Sequence, residues 1–209
     1  NVPVDEWELD VVASGSQKGY MIPPGLSFIS MSQKAWEAAE KSNLPKFYLN
    51  LKSYRKSLLS NSNPYTPAVN LIFALDEALK MMREEGLDNI FFRHNKHKLA
   101  VSNATKALNL KLFADEKYLS PSITAIKTGE MDAEEFRKTI KNNFDILLAG
   151  GQDHLKGKIF RVGHLGYVND RDIITVVSAI SNTLLSLGKI TTQQAGEALA
   201  VVSKYLAGN

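Results

Sequence analysis

The chain contains Ser14-Gly15-Ser16-Gln17-Lys18-Gly19-Tyr20-Met21-Ile22-Pro23-Pro24-Gly25 between two short, mainly apolar runs, Leu9–Ala13 and Leu26–Ser30. Short apolar runs bounded by turn residues predict two buried strands joined by a turn. Lys18 lies in that turn, between Gly15 and Gly19. We expect these glycines to adopt backbone conformations that other residues avoid and to leave room for a flat group beside the lysine.

Lys18 is the first candidate for chemistry. A lysine that is removed from bulk water can lose its proton and attack a carbonyl carbon. A turn lysine is more commonly a solvated surface residue, and this alternative stays open on the residues alone. The adjacent strand, the small neighbours and the Pro23-Pro24-Gly25 corner that returns the chain to a strand favour the reactive role.

Composition limits the function classes. The 209 residues carry a net charge of +3 without a basic block, so no nucleic-acid partner is expected. The chain has no cysteine, which excludes disulfides, thiolate zinc sites and iron–sulfur clusters and fits a cytoplasmic location. No apolar stretch has the length of a membrane span, so no membrane partner is expected. The start, Asn1-Val2-Pro3, lacks Met, and we interpret it as a trimmed N-terminus.

A break near Gly86 predicts two domains, 1–86 and 87–209. The first has only two strands, too few for a stable parallel sheet, and is expected to be the remnant of a larger one. Its last helix is predicted to begin at Thr66 as N-cap, with Pro67 as the first helical residue. The second is predicted to be a complete α+β domain, with a helix over 87–108 followed by elements in the order β-β-α-β-β-α-α.

The stretch from Ser14 to Gly25 resembles the Schiff-base segment of the class V aminotransferases, the alanine–glyoxylate and serine–glyoxylate group, and the resemblance covers nearly the whole chain. It implies an α/β, PLP-dependent transferase fold of type I. The first domain would be the C-terminal remnant of the large domain, and the second the complete small domain. Lys18 would form the Schiff base with pyridoxal 5'-phosphate (PLP) and move the proton at the substrate Cα. Gln17 would lie near the cofactor phosphate.

The resemblance also implies roles for Thr66 and Arg161. Thr66 matches a threonine that reaches the PLP phosphate of the other subunit, although relatives carry a tyrosine where Asn63 stands, and the role of Tyr65 stays open. Arg161 matches the arginine that binds the substrate carboxylate, a task that its planar fork suits. From the residues alone, a strand-edge arginine paired with an acid is the preferred explanation of Arg161.

The remaining polar candidates are weaker. His94 and His97 are three residues apart on a predicted helix, but no third ligand is near, so we favour a solvated basic face and expect no metal site. His154 and His164 fall in loops or at strand ends and receive no role. Gly150-Gly151 resembles the glycine-rich turn that precedes the carboxylate-binding strand, and it is equally well explained as a plain turn.

PLP enzymes of this fold also need an acid on the pyridinium nitrogen, an aromatic ring on the cofactor and a phosphate-binding helix start. The resemblance places all three before the lysine, where this chain has 17 residues, and Asp5, Trp7 and Asp10 match none of them. We therefore expect the 209-residue chain alone to be inactive and to lack an N-terminal segment of its parent.

The predicted function is the transfer of an amino group from alanine or serine to a 2-oxo acid such as glyoxylate, by a homodimeric parent protein. The alternative is a non-catalytic subunit or interaction domain, for example one associated with a soluble hydrogenase, a label that relatives carry. Without cysteine, the chain is not expected to hold that enzyme's metal centre.

Overall fold

A computed structural model describes residues 2–208. The chain forms two compact units, the first running to Glu84 and the second starting at Glu85. No helix in the described range is both long and apolar enough to cross a membrane.

The first unit begins with an antiparallel pair of strands, β1 (Val11–Gly15) and β2 (Ser27–Met31). The register places Val11 opposite Met31 and Gly15 opposite Ser27. No residue of either strand is buried, so the prediction of buried strands was wrong. An apolar strand becomes buried only where another layer covers its face. In residues 2–208 this sheet has two strands, and their side chains stay half-buried or exposed.

Three helices complete the first unit: α1 (Gln33–Lys41), α2 (Leu51–Leu59) and α3 (Val69–Glu85). Ser32 caps α1, because its side chain accepts a hydrogen bond from the Ala35 amide. The cap predicted at Thr66 was wrong. Helix α3 begins at Val69, and the Ile72 amide donates to the carbonyl of Ala68, which precedes the helix. Pro67 therefore lies before the helix and not in its first turn.

The second unit is an antiparallel sheet with helices packed against it. It contains α4 (Leu87–Ala107), β3 (Lys111–Leu112), β4 (Ile123–Lys127), α5 (Ala133–Phe144), β5 (Ala149–Gly150), β6 (Ile159–Gly163), α6 (Asp170–Ser186) and α7 (Thr192–Leu206). The strand order is β3-β4-β6-β5. This succession of elements matches the predicted one. The apolar run Phe144–Leu148 predicts a strand, but the strand lies at 149–150, because α5 continues to Phe144.

The core of the second unit lies between this sheet and its helices. Phe160 and Val162 of β6 point into the core, and the ring of Phe160 lies 5.1 Å from that of Phe136 on α5. Ile126 of β4 and Leu184 of α6 are also fully buried. Side chains alternate between the faces of a strand, so Arg161 points to the opposite face from its two buried neighbours. The sheet therefore holds Arg161 outside the core.

Candidate active site

The turn between β1 and β2 places the side chain of Lys18 at the surface of the described chain. Ser16 is completely buried and fixes the turn: its Oγ donates to the Pro23 carbonyl (2.8 Å) and accepts from the Leu26 amide (3.1 Å). The Lys18 amide donates to the Gly15 carbonyl at 3.3 Å, and the Met21 amide donates to the Lys18 carbonyl at 3.1 Å. The backbone around Lys18 is thus hydrogen-bonded, while its side chain is exposed.

The glycines beside Lys18 do not adopt the backbone conformations that were expected of them, although one of them leaves open space. Neither Gly15 nor Gly19 has a left-handed φ, so this expectation was wrong; within the turn, Met21 (φ 64°) and Gly25 (φ 144°) have one. A Cβ added at Gly19 would meet no atom within 4 Å, whereas one at Gly15 would lie 3.0 Å from Oε1 of Gln17. Open space beside Lys18 is therefore present. Exposed Gln17 instead folds back over Gly15.

Thr66 lines a groove of about 670 Å³ within the first unit. Three tyrosines also line it, Tyr48, Tyr54 and Tyr65. The Tyr65 hydroxyl donates to the Phe47 carbonyl at 3.3 Å, and its ring lies 4.7 Å from that of Tyr48. The Tyr65 hydroxyl therefore already has a partner in the loop before α2. Thr66 is exposed, and its hydroxyl makes no hydrogen bond with the described residues.

Arg161 lies on β6, an inner strand between β4 and β5. Its Nε donates to the Gly150 carbonyl at 2.9 Å. Among residues 2–208 no carboxylate pairs with it. The alternative of a strand-edge arginine paired with an acid is therefore wrong on both counts. The half-buried guanidinium keeps its two terminal nitrogens available, which is the arrangement that binds a planar carboxylate.

Gly150 and Gly151 are more than a plain turn. A Cβ on Gly150 would lie 2.5 Å from Nη1 of Arg137 and 2.7 Å from Oε1 of Glu134. A Cβ on Gly151 would collide with the Leu155 carbonyl. Gly151 therefore needs glycine, because the neighbouring atoms are backbone, whereas a Cβ at Gly150 would meet only the ends of two flexible side chains.

The basic middle of α4 was expected to be a solvated face, and this expectation was wrong for Arg93 and His97. His97 is fully buried, and its Nε2 donates to Asp170 at 2.8 Å. Arg93 pairs with Glu85 (2.6 Å) and donates to the carbonyls of Gly166 (2.9 Å) and Val168 (2.8 Å). These contacts fasten the loop between β6 and α6 to α4. The described residues contain no cluster of three or more groups that suits a metal ion.

His164 joins the ends of β4 and β6. It is fully buried, and its Nδ1 donates to the Pro121 carbonyl at 3.0 Å. That leaves Nε2 to accept from the Thr124 hydroxyl at 2.9 Å, which is the pattern of a neutral imidazole. Burial lowers the pKa of His164 from 6.5 to about 4. Its partners are structural, and it stays outside the candidate site.

Comparison with known proteins identifies the family. The model of the family described as "Aminotransferase class-V" matches residues 1–156. The chain belongs to the class V aminotransferases. A Synechococcus relative named "Soluble hydrogenase, small subunit" is 55% identical over 99% of this chain and 53% of its own length. The "Serine--glyoxylate aminotransferase" of Methylorubrum extorquens is 34% identical over 98% of this chain and 52% of its own.

A solved structure shares the fold of this class V aminotransferase chain. The ureidoglycine–glyoxylate aminotransferase of Bacillus subtilis matches with a TM-score of 0.89 and 29% identity, over 98% of this chain and 54% of that one. The match supports the predicted PLP-dependent transferase fold. The chain spans about half the length of the curated relatives it matches.

The predicted site residues fall in both units. Lys18, Gln17 and Thr66 lie in the first unit, and Arg161 lies in the second. The approach of Lys18 to Arg161 stays a prediction. Sequence reasoning missed the Gly150 carbonyl as the partner of Arg161 Nε, because a backbone acceptor leaves no signal in residue types. It also missed Ser16, because nothing in the residue types around this small polar residue indicates that it is buried.

Proposed function

We propose that a longer protein containing this chain is a PLP-dependent aminotransferase in which Lys18 holds the cofactor. The observation that carries the proposal is the turn fixed by Ser16, which exposes one primary amine with open space beside it at Gly19. Gln17, on the same turn, is proposed to hold the phosphate of this cofactor through its amide hydrogens, and Thr66, at the groove, to hold the phosphate of the partner subunit's cofactor through its hydroxyl.

The residues present fit part of PLP. They offer an amine for its aldehyde and polar groups for its phosphate. Bound PLP supplies an electron sink that weakens the bonds at the substrate Cα. Lys18 Nζ is then the base that takes the proton from Cα and returns it, so it must be uncharged when it acts. Since Lys18 is exposed within these residues, the longer protein must shield it from water.

The proposed substrates are a small amino acid, alanine or serine, and a 2-oxo acid such as glyoxylate. The free terminal nitrogens of Arg161 support a substrate with a carboxylate. The names of the Methylorubrum and Bacillus proteins support glyoxylate as the acceptor class. We further propose a cytoplasmic homodimer in which Thr66 reaches the phosphate of the partner's cofactor.

We also propose that the 209-residue chain alone does not transaminate. An acid is needed to keep the pyridinium nitrogen protonated. Asp10 accepts from Ser32 Oγ at 2.7 Å and pairs with Lys34 at 2.8 Å, so it is already engaged. Trp7, which would have to stack on the ring, is 57% exposed. Turnover of alanine and glyoxylate by the isolated chain would contradict this proposal.

Covalent labelling tests the role of Lys18. The longer protein is incubated with PLP, reduced with borohydride, digested and analysed by mass spectrometry. We expect a pyridoxyl group on the peptide that contains Lys18 and its loss in Lys18→Ala. Lys34→Ala, which removes another exposed lysine of the first unit, is the matched control. Equal labelling of wild type and Lys18→Ala would overturn the proposal.

A non-catalytic subunit is the second candidate. The name of the Synechococcus relative favours it, as do large apolar side chains that are exposed in the first unit, Phe47, Leu49, Leu59 and Phe73. Affinity purification of the longer protein from its own cells tests this function. Co-purification of hydrogenase activity, unchanged by Lys18→Ala, would support it, and a homogeneous preparation that carries PLP would count against it.

A further inference from the structure

The Gly150 carbonyl decides which edge of the Arg161 guanidinium is available. A guanidinium has two edges that can each donate a pair of hydrogen bonds. One edge consists of Nε and one terminal nitrogen, and the other consists of the two terminal nitrogens. Arg161 Nε already donates to Gly150 at 2.9 Å. This bond fixes the direction of the guanidinium plane and leaves the pair of terminal nitrogens, Nη1 and Nη2, for a ligand. No described residue occupies that pair.

The chain segment that carries the Gly150 carbonyl is held by contacts with α5. Arg137 on α5 donates through Nε to the Leu148 carbonyl at 2.8 Å. Its Nη1 lies 2.7 Å from Oε2 of Glu134, one turn earlier on the helix. The same two side chains lie against the Cα of Gly150, where an added Cβ would meet them at 2.5 and 2.7 Å.

Arginines therefore bind one carbonyl of the short strand β5 and the carbonyl of the residue that precedes it. The Leu148 carbonyl accepts from Arg137, and the Gly150 carbonyl accepts from Arg161. Ala149 is paired with Arg161 across the strands. Because β5 has only two residues and lies at the edge of the sheet, ladder hydrogen bonds alone hold it weakly. The Arg137–Glu134 pair is the additional contact that keeps it in place.

We propose that Arg137 and Gly150 are positioning residues for Arg161: they hold its Nε so that only the Nη1 and Nη2 edge meets a substrate carboxylate. This inference rests on the proposed function, in which Arg161 binds that carboxylate. Glycine at 150 lets the ends of Arg137 and Glu134 lie against the strand, because a side chain there would push this pair aside. The carboxylate is then bound end-on by the two terminal nitrogens.

The first test needs no activity. In the 209-residue chain, proton–nitrogen NMR spectra are recorded for the arginine Nε–H groups, and the signal of Arg161 is assigned by its loss in Arg161→Lys. We expect this proton to exchange slowly with water, and to exchange about fivefold faster or more in Arg137→Gln. Lys138→Gln, on the exposed side of the same helix, is the matched control. Unchanged exchange in Arg137→Gln would overturn the inference.

The second test uses the longer protein with L-alanine or L-serine and glyoxylate. Arg137→Gln is expected to raise the KM for the amino acid about fivefold with little change in kcat. In an Arg161→Lys background the same substitution is expected to have no further effect, because residues that act through one another are not additive. An equal effect in both backgrounds would mean a merely structural role and would overturn the inference.

The two proposals fail separately. An unchanged KM in Arg161→Lys would remove Arg161 from the site and contradict the proposed function, while the NMR result would still decide how its Nε is held. If Arg137→Gln unfolds, Arg137→Lys keeps the charge beside Glu134 but loses the Nε donor to Leu148. Faster exchange of Arg161 Nε–H is then expected in Arg137→Lys, and unchanged exchange would overturn the inference.

Discussion

Replacement of His164 by Asn is expected to remove much of the acid sensitivity of the second unit. In the folded chain burial lowers the pKa of His164 from 6.5 to about 4, with further lowering from the nearby charges of His97 and His94. Above pH 6.5 the imidazole is neutral in both the folded and the unfolded chain. As the pH falls from 6.5 toward 4, the unfolded chain takes up a proton that folded His164 does not. Stability is therefore lost over that interval.

The size of the loss follows from the two pKa values. The difference between 6.5 and about 4, at about 1.36 kcal/mol for each pH unit, gives about 3 kcal/mol. His164→Asn should abolish this part of the pH dependence. At pH 7.5 the variant should also be less stable than wild type by about 1–3 kcal/mol, because the Thr124 hydroxyl loses its acceptor.

Urea unfolding at several pH values between 4 and 7.5 measures both effects. Circular dichroism follows the helices of both units, and tryptophan fluorescence reports only the first unit, since Trp7 and Trp36 both lie there. All other titratable groups are present in both proteins, so the difference between the two curves reports His164 together with its electrostatic coupling to His97 and His94. Parallel curves for the free energy of unfolding would refute the reasoning.

Four further substitutions test the packing and the site. Gly151→Ala should lower the free energy of unfolding by about 2–4 kcal/mol in thermal or urea unfolding, because its Cβ would meet the backbone carbonyl of Leu155. Gly196→Ala on α7, whose Cβ would meet no atom within 4 Å, should instead raise it by about 0.5–1 kcal/mol. Asp132→Ala should cost about 1 kcal/mol in urea unfolding, since its side chain accepts from the amides of Glu134 and Glu135, and an unchanged midpoint would contradict this cap. In the longer protein, Arg161→Lys should raise the KM for the amino acid roughly 30-fold, about 2 kcal/mol, and steady-state kinetics with an unchanged KM would exclude Arg161 from binding.

Features that depend on local sequence were predicted well. Thr191 and Gln194 form the reciprocal capping bonds that their spacing predicts. The periodicity of the next-to-last helix predicts an apolar stripe that ends at Leu187. Leu187 lies just after α6 and is exposed, whereas the other members of the stripe are buried: Ile173, Val176, Val177, Ile180 and Leu184. Thr66 shows the limit of such local reasoning. Its sequence context favours a cap, but the helix begins three residues later, and two prolines in the preceding turn leave the exact start undetermined by propensity.

Features that depend on distant partners were predicted poorly. His97 lies in a run of charged residues that looks solvated, yet its partner Asp170 is 73 residues away and brings it into the interior. The apolar strands β1 and β2 show the converse, because burial requires a covering layer that their own residues do not supply. For the candidate site, residue types favoured Lys18 and the family resemblance indicated Arg161, but neither could indicate that a backbone carbonyl holds Arg161.

The side chains of Arg161 and Lys18, the two groups proposed to act on the substrate, differ in whether the described residues hold them in place and shield them from water. Arg161 is oriented within the second unit, by a carbonyl that the same unit fixes through Arg137. Lys18 has a fixed backbone, but its amine is exposed to water in these residues. Since an amine acts as a base only after it loses its proton, shielding of Lys18 is the step that the longer protein must supply. Reagents that acylate amines should accordingly modify Lys18 readily in the 209-residue chain and slowly in the PLP-loaded longer protein, and equal rates in both would contradict this division.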